Sequence, residues 1–136
     1  MVPAPVHEPD PERRERTFLV ALVVGGLSRA VVEEHLDELA RLVDTAGGVV
    51  VGRAAQERPK PDPATLIGSG FLSELAARCS ELAVDSVVFD EDLTASQVRN
   101  LERELPRTVK VLDRSAVILD IFAQHARSRE AQTQVE

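Results

Sequence analysis

Apolar residues along this chain fall either into short unbroken runs or into stripes of helical spacing. Thr17 to Val24 is continuously apolar and rich in β-branched residues, then meets Gly25-Gly26, which predicts a strand buried on both faces. Val32, Leu36, Leu39 and Val43 form one helical stripe, with Glu33, Glu34, Asp37 and Arg41 largely off it. Ser28 is placed to cap that helix and Gly47-Gly48 to close it. Val49-Val50-Val51 predicts a second buried strand, with room to extend through Arg53 to Gln56. Pro59, Pro61 and Pro63 then make the next segment extended and stiff. It leads into Gly68-Ser69-Gly70 and a helix with Leu72, Leu75, Cys79 and Leu82 on one side. Ser86 to Phe89 predicts the third strand. Thr94 and Gln97 have capping-box spacing at the head of a short helix that buries Val98, Leu101 and Leu105 and stops at Pro106. Thr108 to Leu112 predicts the fourth strand. Asp113 is placed to cap a last helix with Val117, Ile118, Ile121 and Phe122 inside.

Strand and helix in strict alternation imply βαβ units. The predicted class is α/β: a small parallel four-stranded sheet flanked by helices on both faces, because the crossovers are right-handed. Residues 1–16 are Pro-rich and charged, and read as a disordered tail. The ordered domain is expected over residues 17–126. Residues 127–136 continue the last helix in polar form and read as the start of a linker helix.

Composition narrows the function. The chain has 136 residues, 43% of them hydrophobic, enough for one core. No apolar stretch is long enough for a membrane span, and the first residues lack the apolar region of a secretory signal. A cytoplasmic protein without a membrane partner is expected. The single cysteine, Cys79, reads as a small buried filler, with no second ligand at zinc spacing. A net charge of −7 argues against whole-surface attraction to nucleic acid, DNA included. With four Phe and neither Tyr nor Trp, a platform for stacking bases is not expected. Any contact with RNA would run through Arg, Lys and backbone amides on phosphates.

Candidate chemistry is sparse. Gly68, Ser69 and Gly70 precede a helix, where close backbone approach and the helix dipole favour an anion or phosphate. The alternative is a tight turn with Ser69 as the cap, which the spacing by itself favours. No phosphate loop of the form G-x-x-x-x-G-K-[ST] occurs. Asp90, Glu91 and Asp92 follow the third strand and read as Mg²⁺ or phosphoacceptor candidates, or as acids ahead of a helix. The place where partner carboxylates would stand is Gly25-Gly26-Leu27, so the second reading is preferred. His7, His35 and His125 have no nucleophile or carboxylate at a catalytic spacing. Two basic groups remain, Arg53, Arg58 and Lys60 around the proline loop, and Arg114, Arg127 and Arg129 around the last helix.

Three runs carry a resemblance: K-P-D-P-A-T-x-I-G-x-G (Lys60 to Gly70), F-D-x-x-L-x-x-x-Q-x-R-N-L-E (Phe89 to Glu102) and V-x-D-R-x-x-x-I-L-D-I-F-A-Q-x-A (Val111 to Ala126). Together they resemble the amino-terminal domain of HflX-type ribosome-associated GTPases, over roughly residues 17–136. The resemblance implies a small parallel sheet followed by a helical hairpin and then a GTP-binding domain. It implies the large ribosomal subunit, through its RNA, as partner, and a role in splitting or rescuing ribosomes. GTP and Mg²⁺ are expected only for the later domain, with no cofactor, no metal and no catalytic residue in this chain. One position departs from the pattern: the family often has Lys after the second loop glycine, where this chain has Phe71. On this reading Arg58, Lys60, Arg127 and Arg129 are the candidate rRNA contacts. A stand-alone homologue acting as a regulatory protein-interaction module is the alternative, and a small nucleotide-binding enzyme is a weaker one. The oligomeric state is open.

Overall fold

The computed structural model describes residues 14–134, with side chains other than those of His125 and residues 127–134. Eight elements alternate: β1 (Arg16–Val24), α1 (Arg29–Thr45), β2 (Val49–Arg58), α2 (Ser69–Glu81), β3 (Ser86–Phe89), α3 (Ala95–Glu104), β4 (Lys110–Asp113) and α4 (Arg114–Gln134). The strands form one sheet in the order β2-β1-β3-β4, and every pairing is parallel. The expected α/β class and four-stranded parallel sheet are therefore observed. Of the tail expected over residues 1–16, residues 1–13 lie outside the described residues.

β1 is central, and its side chains divide between two cores. Phe18, Val20 and Leu22 join Leu72, Leu75, Cys79 and Leu101 of α2 and α3 on one face. Leu19 and Ala21 join Val32, Leu36, Leu39 and Val43 of α1 and Val117 of α4 on the other. Burying a large apolar side chain removes it from water with a gain of about 1.5–3 kcal/mol each. Two polar residues are buried with them: Thr17 and Ser86, whose hydroxyls bond each other at 3.1 Å and so offset their desolvation. Burial pushes the Cys79 thiol up to about 11, which suits the filler role.

The predicted caps hold in most places. Ser28 accepts from the Val31 amide, and Thr94 and Gln97 form the full capping box. Asp113 Oδ1 accepts from the Ala116 amide at 2.9 Å, capping α4 from the last residue of β4. α1 ends in a Schellman motif, with Gly48 N–H on Val43 O and Gly47 N–H on Asp44 O. α2 closes in the same way at Leu82, but its left-handed position is Ala83, at φ 51.

Four expectations need correction. β2 runs past Gln56 to Arg58, because its outer half pairs in register with Ala21 to Val24 of β1. β4 occupies Lys110–Asp113 rather than Thr108 to Leu112, since a turn with Val109 N–H on Pro106 O uses up the first residues. Leu82 caps α2 instead of belonging to it. Phe122 is not inside: it is 67% exposed, like Leu119 at 66%. Among the described side chains of α4, Val117 and Ile121 join the core on the sheet, and Phe122 is rotated well away from them.

One irregularity sets the faces of β2. Thr17 pairs with Val50 and Phe18 with Gly52, so Val51 is an extra residue, a β-bulge. Gly52 sits against the Phe18 ring, where a Cβ would stand 2.6 Å from Cε2.

The left-handed Ala83 yields a stability test. Relief of its strain exceeds the added freedom of the unfolded chain, so Ala83→Gly should stabilise the fold by about 0.5–1 kcal/mol. Urea unfolding measures this. An unchanged or lower midpoint would show that Ala83 is not strained.

Candidate functional site

All four strands point their carboxyl ends the same way, and the loops leaving that edge carry the candidate residues. β2 delivers Arg58, and the chain then turns through a loop organised by Asp62. Asp62 and Leu66 exchange both backbone hydrogen bonds, at 3.0 and 2.8 Å. Asp62 Oδ1 also accepts from the amides of Ala64 at 2.8 Å and Thr65 at 3.2 Å. The Thr65 hydroxyl donates to Ile67 O at 2.9 Å. Leu66 adopts φ 67 and is held there by its buried side chain, 5% exposed.

Two neighbouring elements fix this loop. On α3, Gln97 donates to Pro63 O at 3.3 Å and Asn100 to Ala64 O at 3.0 Å. On β2, the Gln56 side-chain oxygen accepts from Gly68 N–H at 2.9 Å. Gly68, not Ser69, is therefore the N-cap of α2, and it makes no side-chain cap bond. Its cap position is governed by Gln56.

Arg58 and Gly68 are ten residues apart in sequence but adjacent in space. Arg58 Nε donates to Lys60 O at 3.2 Å, and Nη1 lies over Gly68 so closely that a Cβ there would collide with it. The guanidinium thus lies at the amino end of α2, beside an open cleft of about 670 Å³ whose lining includes Arg58, Asp62, Thr65, Gly68, Ser69 and Glu104. A cation at a helix N-terminus suits an oxyanion, and Asp62 and Glu104 narrow where that anion can lie. Gly70 has nothing within 4 Å of a Cβ position, so packing does not require it to be glycine.

The other basic residues separate. Arg53 lies on the opposite face of β2, paired with Glu33 at 3.0 Å and Asp37 at 2.7 Å on α1. Arg114 is bound to Asp90 at 2.5 Å and donates to His35 O at 3.3 Å. The side chains of Arg127 and Arg129 lie outside the described ones.

Two of the acids after β3, Asp90 and Asp92, are likewise committed. The Asp90 side chain is 8% exposed and stands 3.8 Å from His35 Nδ1. Asp92 accepts from Ser115 at 3.3 Å. His35 is thus half-exposed beside a carboxylate rather than a simple surface residue. Among the described residues no group of three His, Cys, Asp or Glu is placed to hold a metal ion.

Residues 33–123 match a family model described as GTP-binding GTPase N-terminal. This chain belongs to that family. A GTPase HflX from Flavobacterium psychrophilum is 42% identical over 90% of the chain and 29% of its own length. One from Lacrimispora saccharolytica is 44% identical over 92% of the chain and 29% of its own length. The HflX-type N-terminal domain therefore spans under a third of the curated relatives it matches. A solved SsGBP–GDP complex shares the fold at TM-score 0.61 and 25% identity, over 89% of this chain and 32% of that one. A GTP-binding protein of Sulfolobus solfataricus in complex with GDP gives TM-score 0.56 at 22% identity, over 80% and 30%, and so supports the fold alone.

The three runs of the HflX-type domain meet at this edge. The first forms the Asp62 loop, the second supplies Gln97 and Asn100 to hold it, and Asp113 of the third accepts from Leu93 N–H of the second at 3.1 Å. Sequence reasoning places Gln97 only as a cap and Asp90 and Arg114 only as separate candidates; it misses Gln56, Asn100, the bond from Gln97 to the loop and the pairing of Asp90 with Arg114. The only signal for them was that these residues belong to the family runs or stand at strand ends.

Two carboxylates of this edge should titrate in opposite directions. The amides of Ala64 and Thr65 hold Asp62 below the usual carboxylate range. Burial lifts Asp90 above it, outweighing Arg114 and His35. The Asp62 contribution to stability is present above the ordinary carboxylate pKa and is lost as pH falls through its lowered value. Ionising Asp90 instead costs stability as pH rises from the ordinary value through its raised one. Carbon-detected NMR titration of the two carboxyls should show this order, and the reverse order would contradict the geometry.

Proposed function

We propose that this chain is the ribosome-docking domain of an HflX-type GTPase, non-catalytic by itself, which meets RNA of the large ribosomal subunit through phosphate contacts. The observation carrying this reading is the Arg58 guanidinium held over Gly68 at the open amino end of α2. A rigid loop that presents cationic and backbone donors without a nucleophile or base suits binding better than turnover. Arg58, Lys60, Gly68, Ser69 and Gly70 form the contact surface in this proposal, with Arg127 and Arg129 as a second group. GTP and Mg²⁺ belong, on the same reading, to the part of the relatives that this chain does not span. No helix of the described residues is long and apolar enough to cross a membrane, and a ribosomal partner would place the protein in the cytoplasm.

Cosedimentation with purified large subunits across a salt series tests the proposal. Arg58→Ala and Lys60→Ala should each weaken binding and reduce the salt slope by roughly one. Gly68→Ala, which displaces the guanidinium, should resemble Arg58→Ala. Absence of binding at low salt would end the proposal for this chain. Unchanged binding in the Arg58/Lys60 double variant would remove these residues from it. The exposed Leu119 and Phe122 on α4 favour a second reading, a protein-interaction module. Binding that survives the Arg58/Lys60 changes but fails in Phe122→Ser would support it.

A further inference from the structure

The sheet has two edges of very different length. β4, at one edge, has four residues. β2, at the other, has ten, against a usual strand of about 5–6. Among the described residues, no backbone hydrogen bond outside the sheet involves residues 50–58. In a parallel sheet, every second residue of an edge strand directs its N–H and C=O outward, open to another strand. Native edges are commonly kept short or guarded by charge, so a long one calls for an account.

The exposed side chains of β2 supply it. Only Arg53 and Glu57 are exposed along the strand, and they share one face. Arg53 reaches Glu33 of α1 and Glu57 reaches Arg29 of α1, at 3.0 and 3.2 Å. They are opposite in charge and symmetric about Ala55. When two copies of such a strand pair antiparallel about Ala55, Arg53 of each lies directly across from Glu57 of the other, and Ala55 faces its own copy. Both pairs are then attractive cross-strand pairs, and the small Ala55 leaves room on the two-fold axis. A partner strand carrying two charges of one sign, or a shift by two residues, would lose this match. The pattern is complementary to itself, which is what an isologous contact requires.

We infer that β2 is a self-association edge: two copies of this chain join antiparallel strands about Ala55, making one continuous eight-stranded sheet. Arg58 alternates to the other face, where it lies against Gly68.

Sedimentation of the unaltered chain over a concentration series should show a monomer–dimer equilibrium. Arg53→Glu alone and Glu57→Arg alone should each weaken it roughly tenfold. The double exchange R53E/E57R should restore it, although the contacts with Glu33, Asp37 and Arg29 within each copy stay mismatched. Recovery therefore reports the contact between copies and not a repaired monomer, and circular dichroism checks that each variant is folded. Independently of any variant, amide exchange within residues 53–57 should slow as concentration rises. A chain that stays monomeric at about 1 mM, exchange that ignores concentration, or a double exchange that stays as weak as the single changes would each overturn the assignment.

Discussion

The packing of β1 against both faces of the sheet is the constraint from which the rest follows. Phe18 through Leu22 are each no more than 2% exposed, and consecutive residues enter different cores. A strand buried on both sides cannot tolerate a one-residue slip without moving large side chains between two packed layers. That fixes β2 and β3 on either side of it and puts α1 and α4 on one layer and α2 and α3 on the other. It also aligns every strand, so that the Asp62 loop and the acids after β3 leave from one edge.

At that edge the protein turns its polar side chains on itself. Asp62 closes its own loop, Gln97 and Asn100 bind the loop carbonyls, Gln56 takes the Gly68 amide, and Asp90 is held against Arg114. Each bond removes a group that could serve chemistry and adds stiffness to the backbone that remains. The result is a surface of fixed shape in which Arg58 stands at a helix end. An acidic chain can meet a phosphate in this way, since the charge acts locally while the net charge remains −7.

The sheet and its helices were legible because hydrophobic rhythm reports burial directly: the third strand and the capping box at Thr94 lie where the pattern places them. The outer half of β2 was harder. Arg53 to Arg58 contains small and charged residues whose strand state depends on pairing with β1, a tertiary fact. Hydrophobicity alone places Phe122 inward, though helical geometry turns it from the stripe that meets the sheet. At the site, Gly68 and Arg58 were each visible as candidates, yet nothing in their spacing brings them together. That needs the Asp62 loop, whose bonds join residues that no periodicity links. Sequence proximity groups Arg53 with Arg58 and Lys60, and Arg114 with the last helix, but neighbours in sequence are not always neighbours in space. The fold assigns both to acidic partners instead.

The bulge at Val51 has an effect out of proportion to one residue. Beyond it, Arg53, Ala55 and Glu57 face α1, while Gln56 and Arg58 face the start of α2. Strand alternation knows only odd and even, so the extra residue acts as a parity bit for everything downstream. The same sequence paired in regular alternation, with Val51 opposite Phe18 and no bulge, would keep nearly the same strand, yet its basic and acidic residues would be dealt to the wrong layers. Arg58 would then look toward α1, and the amino end of α2 would face empty water.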